Sequence, residues 1–193
     1  MAHIDALVLI TDRLMMRPYR AEDAEIIFAV VERREVAETM TGIPHPYPRK
    51  TVDWWIRFTR DNIKKGEGFE FGLFRKDEPS AYIGNCGLIE VSKEHRNAEL
   101  VYFIRPDVWN QGFGTEACTK AVEFGFERLG LERIGGRCMA KNIGSRRVME
   151  KAGFRWEGLA RHEILKWGKF EDTVKYGLIR AEWDEIYRRK IRH

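Results

Sequence analysis

The segment from Asn97 to Leu129 constrains this chain more than any other. From Leu100 to Ile104 it is apolar throughout, as a strand buried on both faces would be. Pro106 ends the run, and Trp109-Asn110-Gln111-Gly112-Phe113-Gly114-Thr115-Glu116 follows. From Phe113 to about Leu129 the period is helical. Phe113, Ala117, Ala121 and Gly125 recur on one face, with Val122 and Leu129 beside them, while Glu116, Lys120, Glu123 and Glu127 fill the others. Gly112 and Gly114 let backbone amides face outward without interference from a Cβ. The helix start adds partial positive charge, so the turn suits an anion such as a pyrophosphate. A tight turn that needs glycine only for its shape would look the same. No GxxxxGK[ST] string is present. A dinucleotide fingerprint has a third glycine or alanine where Ala117 stands, but a hairpin, not a parallel βαβ start, precedes this turn.

The remaining patterns surround that segment with hairpins and amphipathic helices. Leu7–Arg17 reads as a strand stopped by Pro18, and a helix opens at Ala21-Glu22-Asp23 with Ala24, Ile27, Phe28 and Val31 on one face. Pro44, Pro46 and Pro48 impose an extended loop. A second helix spans Thr51 to about Lys65, with Trp54, Trp55 and Phe58 apolar. Phe69–Phe74 and Tyr82–Val91 form an antiparallel hairpin, and Asn97–Ile104 is the apolar strand. After the long helix come a strand at Arg133–Met139, a short helix at Asn142–Lys151 stopped by Gly153, strands from Phe154 and over Thr173–Ile179, and a last helix from about Ala181. Mixed hairpins and helical crossovers predict an α+β (mixed α/β) domain in three layers. One domain over residues 7–185 with a basic tail at 186–193 accounts for the length. The tail, Arg188-Arg189-Lys190-Ile191-Arg192, reads as a solvated helix end.

Composition mainly excludes. The 193 residues are 44% hydrophobic and 33% charged, which rules out wholesale disorder and disulfide mini-proteins. The net charge of +4 is too small to imply a nucleic-acid partner, and no recognition motif accompanies it. Ala6–Ile10 is too short an apolar run for a membrane span and lacks the flanks of a signal peptide. Cys86, Cys118 and Cys138 are odd in number and widely spaced, with no metal-ligand spacing. No metal is expected, and the cysteines read as reduced, buried thiols of a cytoplasmic protein.

A second segment follows the strand Arg133–Met139: Asn142-Ile143-Gly144-Ser145-Arg146-Arg147-Val148-Met149-Glu150-Lys151-Ala152-Gly153-Phe154. Asn142 can cap the helix, and Ser145 lies one turn on. Together the two segments resemble the GNAT superfamily of acetyl-CoA-dependent N-acetyltransferases. Trp109 to Gly114 is similar to that family's [Q/R]xxGx[G/A] turn, departing at Trp109. Asn142, Lys151, Gly153 and Phe154 fall in register with its second motif, where Ser145 and Met149 depart. Those departures resemble the RimJ/RimL type, which acetylates ribosomal-protein N-termini. So do Ala98-Glu99-Leu100-Val101-Tyr102-Phe103, Gly112-Phe113-Gly114-Thr115-Glu116-Ala117, Thr11 to Pro18 and Glu171 to Leu178.

The resemblance implies a three-layer α-β-α fold with a central, mostly antiparallel twisted sheet. It implies direct attack of a primary amine on the acetyl-CoA thioester. Val101, Phe103 and Ile104 would run along the pantetheine, Gln111, Gly112, Phe113, Gly114 and Thr115 would hold the pyrophosphate, and Asn142 and Ser145 would also contact the cosubstrate. Met149 stands where the family has a tyrosine donor and cannot donate, so Ser145 is the expected donor to the leaving thiolate. Glu99 is the expected base, because a carboxylate in an apolar strand is pushed towards neutrality. Glu70, on a neighbouring strand, is the second candidate. An α-amine, with a pKa of roughly 7.7–8.0, needs only a mild base. The expected acceptor is a protein N-terminus. A small amine such as a polyamine, amino acid or antibiotic is the alternative, ahead of a non-catalytic acetyl-CoA-binding module. A homodimer is left open. The first two helices and the proline loop, with His45, Tyr47, Trp54 and Trp55, would wall the acceptor site.

Overall fold

The computed structural model describes residues 4–191, and side chains through Tyr187. Its strands are β1 (Leu9–Ile10), β2 (Leu14–Arg17), β3 (Phe69–Arg75), β4 (Tyr82–Ser92), β5 (Asn97–Ile104), β6 (Arg133–Met139), β7 (Arg155–Lys166) and β8 (Lys169–Ile179). The helices are α1 (Ala24–Val31), α2 (Arg34–Thr39), α3 (Lys50–Lys65), α4 (Phe113–Glu127), α5 (Ile143–Lys151) and α6 (Arg180–Ile191). The strands form one sheet in the order β1-β2-β3-β4-β5-β6-β8-β7. The β5–β6 pair is parallel and the others are antiparallel. The mixed three-layer architecture implied by the sequence is the one observed.

Strand alternation divides the core between two layers. Ala98 and Leu100 of β5 join Phe71, Leu88, Ile134 and Leu178 beneath α4, whose Phe113, Ala117, Ala121 and Val122 face them. Trp183 of α6 and Met149 of α5 complete that side. Phe103 turns the other way and packs with Tyr19, Phe74 and Tyr82 under Ile27 and Val31 of α1 and Val52 and Ile56 of α3. At Gly125 a Cβ would lie 2.7 Å from Leu88 Cδ1 and 2.8 Å from Ile134 Cδ1. Its absence lets α4 approach the sheet closely.

Local structure departs from the sequence patterns in two places. The first strand is two, because Thr11 Oγ1 accepts the Leu14 amide at 2.8 Å and turns the chain before Leu14. α2 covers residues to which no pattern assigned an element, being too short for a visible period; burial of Val36 and Ala37 holds it. α6 continues to Ile191, so the backbone of residues 186–191 is helical, in keeping with a helix end there. The side chains of the basic stretch lie outside the described residues.

Arg17 and Asp23 anchor the layer that carries α1. The pair is bidentate, 2.8 Å at both nitrogens, buried, and capped by the Phe74 ring 3.9 Å from the guanidinium carbon. Asp23→Ala strands a buried guanidinium and is expected to cost about 3–5 kcal/mol, lowering Tm by roughly 10 °C. Thermal unfolding followed by circular dichroism checks this. A wild-type Tm would show that the pair is not the anchor.

Candidate active site

The site begins where β5 and β6 part. Their parallel ladder runs from Asn97 and Arg133 to Leu100 and Gly136 and no further. β5 continues to Ile104 along β4, and β6 continues to Met139 along β8. From Val101 onward the β6-facing edge of β5 therefore borders an opening in the sheet. This is also why Val101, Tyr102 and Ile104 are half-buried, although an uninterrupted apolar run reads as buried on both faces. The run encodes the strand but not the departure of its neighbour. Trp109 Nε1 donates to the Ile104 carbonyl at 2.6 Å, tying the following turn to the end of the open edge.

That turn carries left-handed backbone at Asn110 (φ 61°) and Gly112 (φ 84°), which aims successive amides outward. α4 starts directly after, and its first amides have no partner within the helix. At Gly114 a Cβ would lie 3.4 Å from Val148 and 3.5 Å from Ile104, so the helix start is wedged between α5 and β5. Gln111 Nε2 donates back to the Asp107 carbonyl at 3.4 Å, which leaves the backbone of Gln111 as its contribution to the turn. Arg13 reaches the turn, with its charge countered by Glu116. Its Nη1 donates to the Gln111 carbonyl at 2.9 Å, its Nε pairs with Glu116 at 2.7 Å, and its guanidinium carbon lies 4.2 Å from the Phe113 ring centroid. Arg13 stands far from the turn in sequence, within the Thr11–Pro18 stretch, and nothing in the turn's own motif points to it.

Ser145 lies on the α4 side of the opening. Asn142 Oδ1 accepts the Ser145 amide at 3.0 Å, the expected helix cap, and Asn142 Nδ2 reaches the Thr39 carbonyl at 3.4 Å. Ser145 Oγ is 2.7 Å from the hydroxyl of Tyr102, which also donates to the Ser145 carbonyl at 3.1 Å. The bond joins β5 to α5 beyond the point where the ladder ends. Burial raises the Tyr102 phenol well above its ordinary range, so it stays protonated. Met149 is buried, and a Cβ at Gly136 would lie 3.0 Å from its sulfur. It fills the core where the resembled motif has a tyrosine.

On the opposite face, a cavity of about 230 Å³ lies between β3–β5 and the segment from α2 into α3. Val101 and Phe103 form part of its floor, and Ile43, Tyr47, Trp54 and Trp55 are among its walls. Lys166, itself buried, donates to the Met40 and Ile43 carbonyls at 2.8 and 2.7 Å and fixes the roof from the end of β7. Glu70 lines this cavity and is 7% exposed. Asn85 Nδ2 donates to its Oε2 at 2.9 Å, while Asn85 Oδ1 accepts the Tyr19 hydroxyl at 2.7 Å, which orients the amide. Burial pushes the Glu70 carboxyl up to about 7, against the opposing pull of the Asn85 hydrogen bond.

Glu99 is placed differently. It pairs with Gly135 inside the closed part of the ladder, Arg137 Nε lies 3.0 Å from it, and it is not among the residues lining the cavity. Burial raises its pKa, with Arg137 holding the rise back. The structure thus brings Ser145 and Tyr102 to one side of the opening and Glu70 to the other, and leaves Glu99 in an ion pair. A second cavity, about 380 Å³ and lined by Ile26, Arg33, Tyr82 and Arg105, has none of these groups in its walls.

The sequence profile of the Acetyltransferase (GNAT) domain matches residues 13–155. The Bacillus subtilis (strain 168) protein named "Uncharacterized N-acetyltransferase YoaA" is 33% identical over 173 residues, 90% of this chain and 97% of that protein. The "[Ribosomal protein uS5]-alanine N-acetyltransferase" of Escherichia coli (strain K12) is 29% identical over 189 residues, 94% of this chain and 95% of its own length. A crystal structure described as "Probable acetyltransferase" superposes with a TM-score of 0.82 at 26% identity, covering 92% of this chain and 99% of that one. Among the described residues no helix is long and apolar enough to cross a membrane. The parted β5 and β6, the glycine turn at the start of α4 and the profile match over most of the chain lead to one assignment: this chain belongs to the GNAT acetyltransferase family and is an N-acetyltransferase.

Proposed function

We propose that the enzyme transfers the acetyl group of acetyl-CoA to a protein N-terminal α-amine, of the kind presented by ribosomal proteins. The observation that carries this reading is the division of polar groups across the opening: a hydroxyl pair, Ser145 and Tyr102, on one side and a single carboxylate, Glu70, in a cavity on the other. Acetyl-CoA supplies an acetyl thioester at the end of an extended pantetheine. The free edge at Val101–Ile104 offers that arm main-chain partners. The amides of Gln111–Thr115, with Arg13, face its pyrophosphate.

The acceptor enters as an ammonium and must lose a proton before it attacks. Glu70 supplies the base. With its pKa at about 7, about half of it is ionised at neutral pH, and it is matched to an α-amine of roughly 7.7–8.0 far better than to a lysine near 10.4. The nitrogen–carbon bond then forms, the carbon–sulfur bond breaks, the thiolate takes a proton from Ser145 Oγ, and the second proton shed by the nitrogen returns to that oxygen. Tyr102, whose own proton goes to the Ser145 carbonyl, holds that hydroxyl in place through the 2.7 Å contact. Glu99 is a weaker base candidate, since Arg137 already pairs with it outside the cavity.

Ser145→Ala is expected to lower kcat about tenfold or more with little change in the acetyl-CoA KM. Tyr102→Phe should lower it less, and the double variant should be no worse than Ser145→Ala. Additive losses in thiol-release assays would break the link between the two hydroxyls. Intact-mass analysis of ribosomal proteins and of polyamines incubated with acetyl-CoA and enzyme tests the acceptor class. Acetylation confined to the polyamines would overturn the N-terminal reading.

A further inference from the structure

The cavity around Glu70 has a chemistry of its own. Its walls are mostly apolar or aromatic, with Thr51 and Asn85 the uncharged polar exceptions beside the Tyr47 hydroxyl, and among the described residues Glu70 is the one carboxylate lining it. Tyr47 also lines it, and burial raises its phenol pKa, so it carries no charge at neutral pH. The polar atoms of Asn85 are already committed, Nδ2 to Glu70 and Oδ1 to Tyr19. One ammonium can therefore be matched by a charge here, and a second would be desolvated with no carboxylate to meet it.

Size narrows the choice further. A volume of about 230 Å³ exceeds the roughly 150 Å³ of an apolar cavity that holds benzene, but falls below the ~300–1,000 Å³ of sites for drug-sized ligands. The roof over this space is pinned by Lys166, so the shape is formed in advance.

We infer that the acceptor is a monocation whose amine-bearing carbon carries one compact apolar group, seated between Ile43, Tyr47, Trp54 and Trp55 while the amine meets Glu70. For a peptide this is an N-terminal residue with an apolar side chain. A polyamine, or a peptide beginning with lysine or aspartate, is disfavoured. This inference rests on the acetyltransfer reading above and specifies the acceptor for the same site.

The test compares the tetrapeptides Leu-Ala-Ala-Ala, Lys-Ala-Ala-Ala and Asp-Ala-Ala-Ala with spermidine, using the full chain and saturating acetyl-CoA. The leucine peptide is expected to exceed each of the others at least about tenfold in kcat/KM, the discrimination that apolar pockets typically reach. Ile43→Glu places a second carboxylate in the wall and should reverse the order of the leucine and lysine peptides. Equal or better turnover of spermidine or of the lysine peptide by the wild-type enzyme overturns the inference. Calorimetric titration of the same four compounds into CoA-saturated enzyme reads the preference without turnover. If no acceptor is acetylated, the transfer reading fails, and the titration order alone then upholds or overturns the acceptor class.

Discussion

Replacing Glu70 with glutamine is expected to lower kcat/KM for the acceptor roughly 100- to 10,000-fold, the range for losing a positioned general base, and at the same time to stabilise the protein above pH 7. The carboxylate is buried beside one neutral donor, Asn85, and among the described residues no cation partners it. Its pKa in the folded chain, about 7 against an ordinary 4.5, means that folding takes up a proton between those values. Native stability therefore falls as pH rises from about 4.5 to 7 and is level above that. At 1.36 kcal/mol per pKa unit, the burden at pH 8 is on the order of 3 kcal/mol. Glutamine keeps the shape and removes the charge, so its variant should melt higher than wild type at pH 8 and no higher at pH 4.5. Wild-type activity should rise with pH through about 7, whereas the residual activity of the variant should lack that limb. Paired melts and pH–rate profiles check both parts. A fully active Glu70→Gln would remove Glu70 from the chemistry.

Gly112→Val is expected to raise the acetyl-CoA KM about 10- to 100-fold with kcat changed much less. Gly112 holds φ at 84°, where a β-branched side chain is strained, and a Cβ there would lie 3.3 Å from Arg13 Nη2. Strain of ~1–3 kcal/mol is relieved by rotating the peptide, which turns the turn amides away from the anion. Each ~1.4 kcal/mol of lost binding is tenfold. The helix begins one residue later, so the fold should survive, with an unchanged circular dichroism spectrum. Initial rates at varied acetyl-CoA read the effect. An unchanged KM would mean that the turn does not hold the phosphates.

Most of the architecture is legible in the sequence because long elements carry long patterns. α4 and the β3–β4 hairpin appear where hydrophobic spacing puts them, and the Asn142 cap is made as its position suggests. What the sequence does not display depends on partners that are distant along the chain. Glu70 is buried by α3 and by the segment that follows α2, and Asn85 is brought to it by strand pairing. An isolated glutamate in Phe69-Glu70-Phe71 shows none of this, whereas Glu99 stands out only because its own neighbours are apolar. Arg137, which pairs with Glu99, comes from β6. Tyr102 sits inside a motif that resembles the family, but its bond to Ser145 exists only once α5 folds over the opening. The alternation that sends Tyr102 and Phe103 to opposite faces was readable; the end of the β5–β6 ladder between them and Leu100 was not.

The central claim is that the thioester lies across the opening between β5 and β6, with its sulfur at Ser145 and its acyl carbon open to Glu70. A crystal structure of the enzyme with CoA tests it most directly. The account predicts the pantetheine beside Val101–Ile104, the pyrophosphate on the amides of Gln111–Thr115, and the thiol within hydrogen-bond distance of Ser145 Oγ or the Tyr102 hydroxyl, facing the Glu70 cavity. A thiol directed instead towards Glu99, or a pantetheine lying outside the opening, would contradict it.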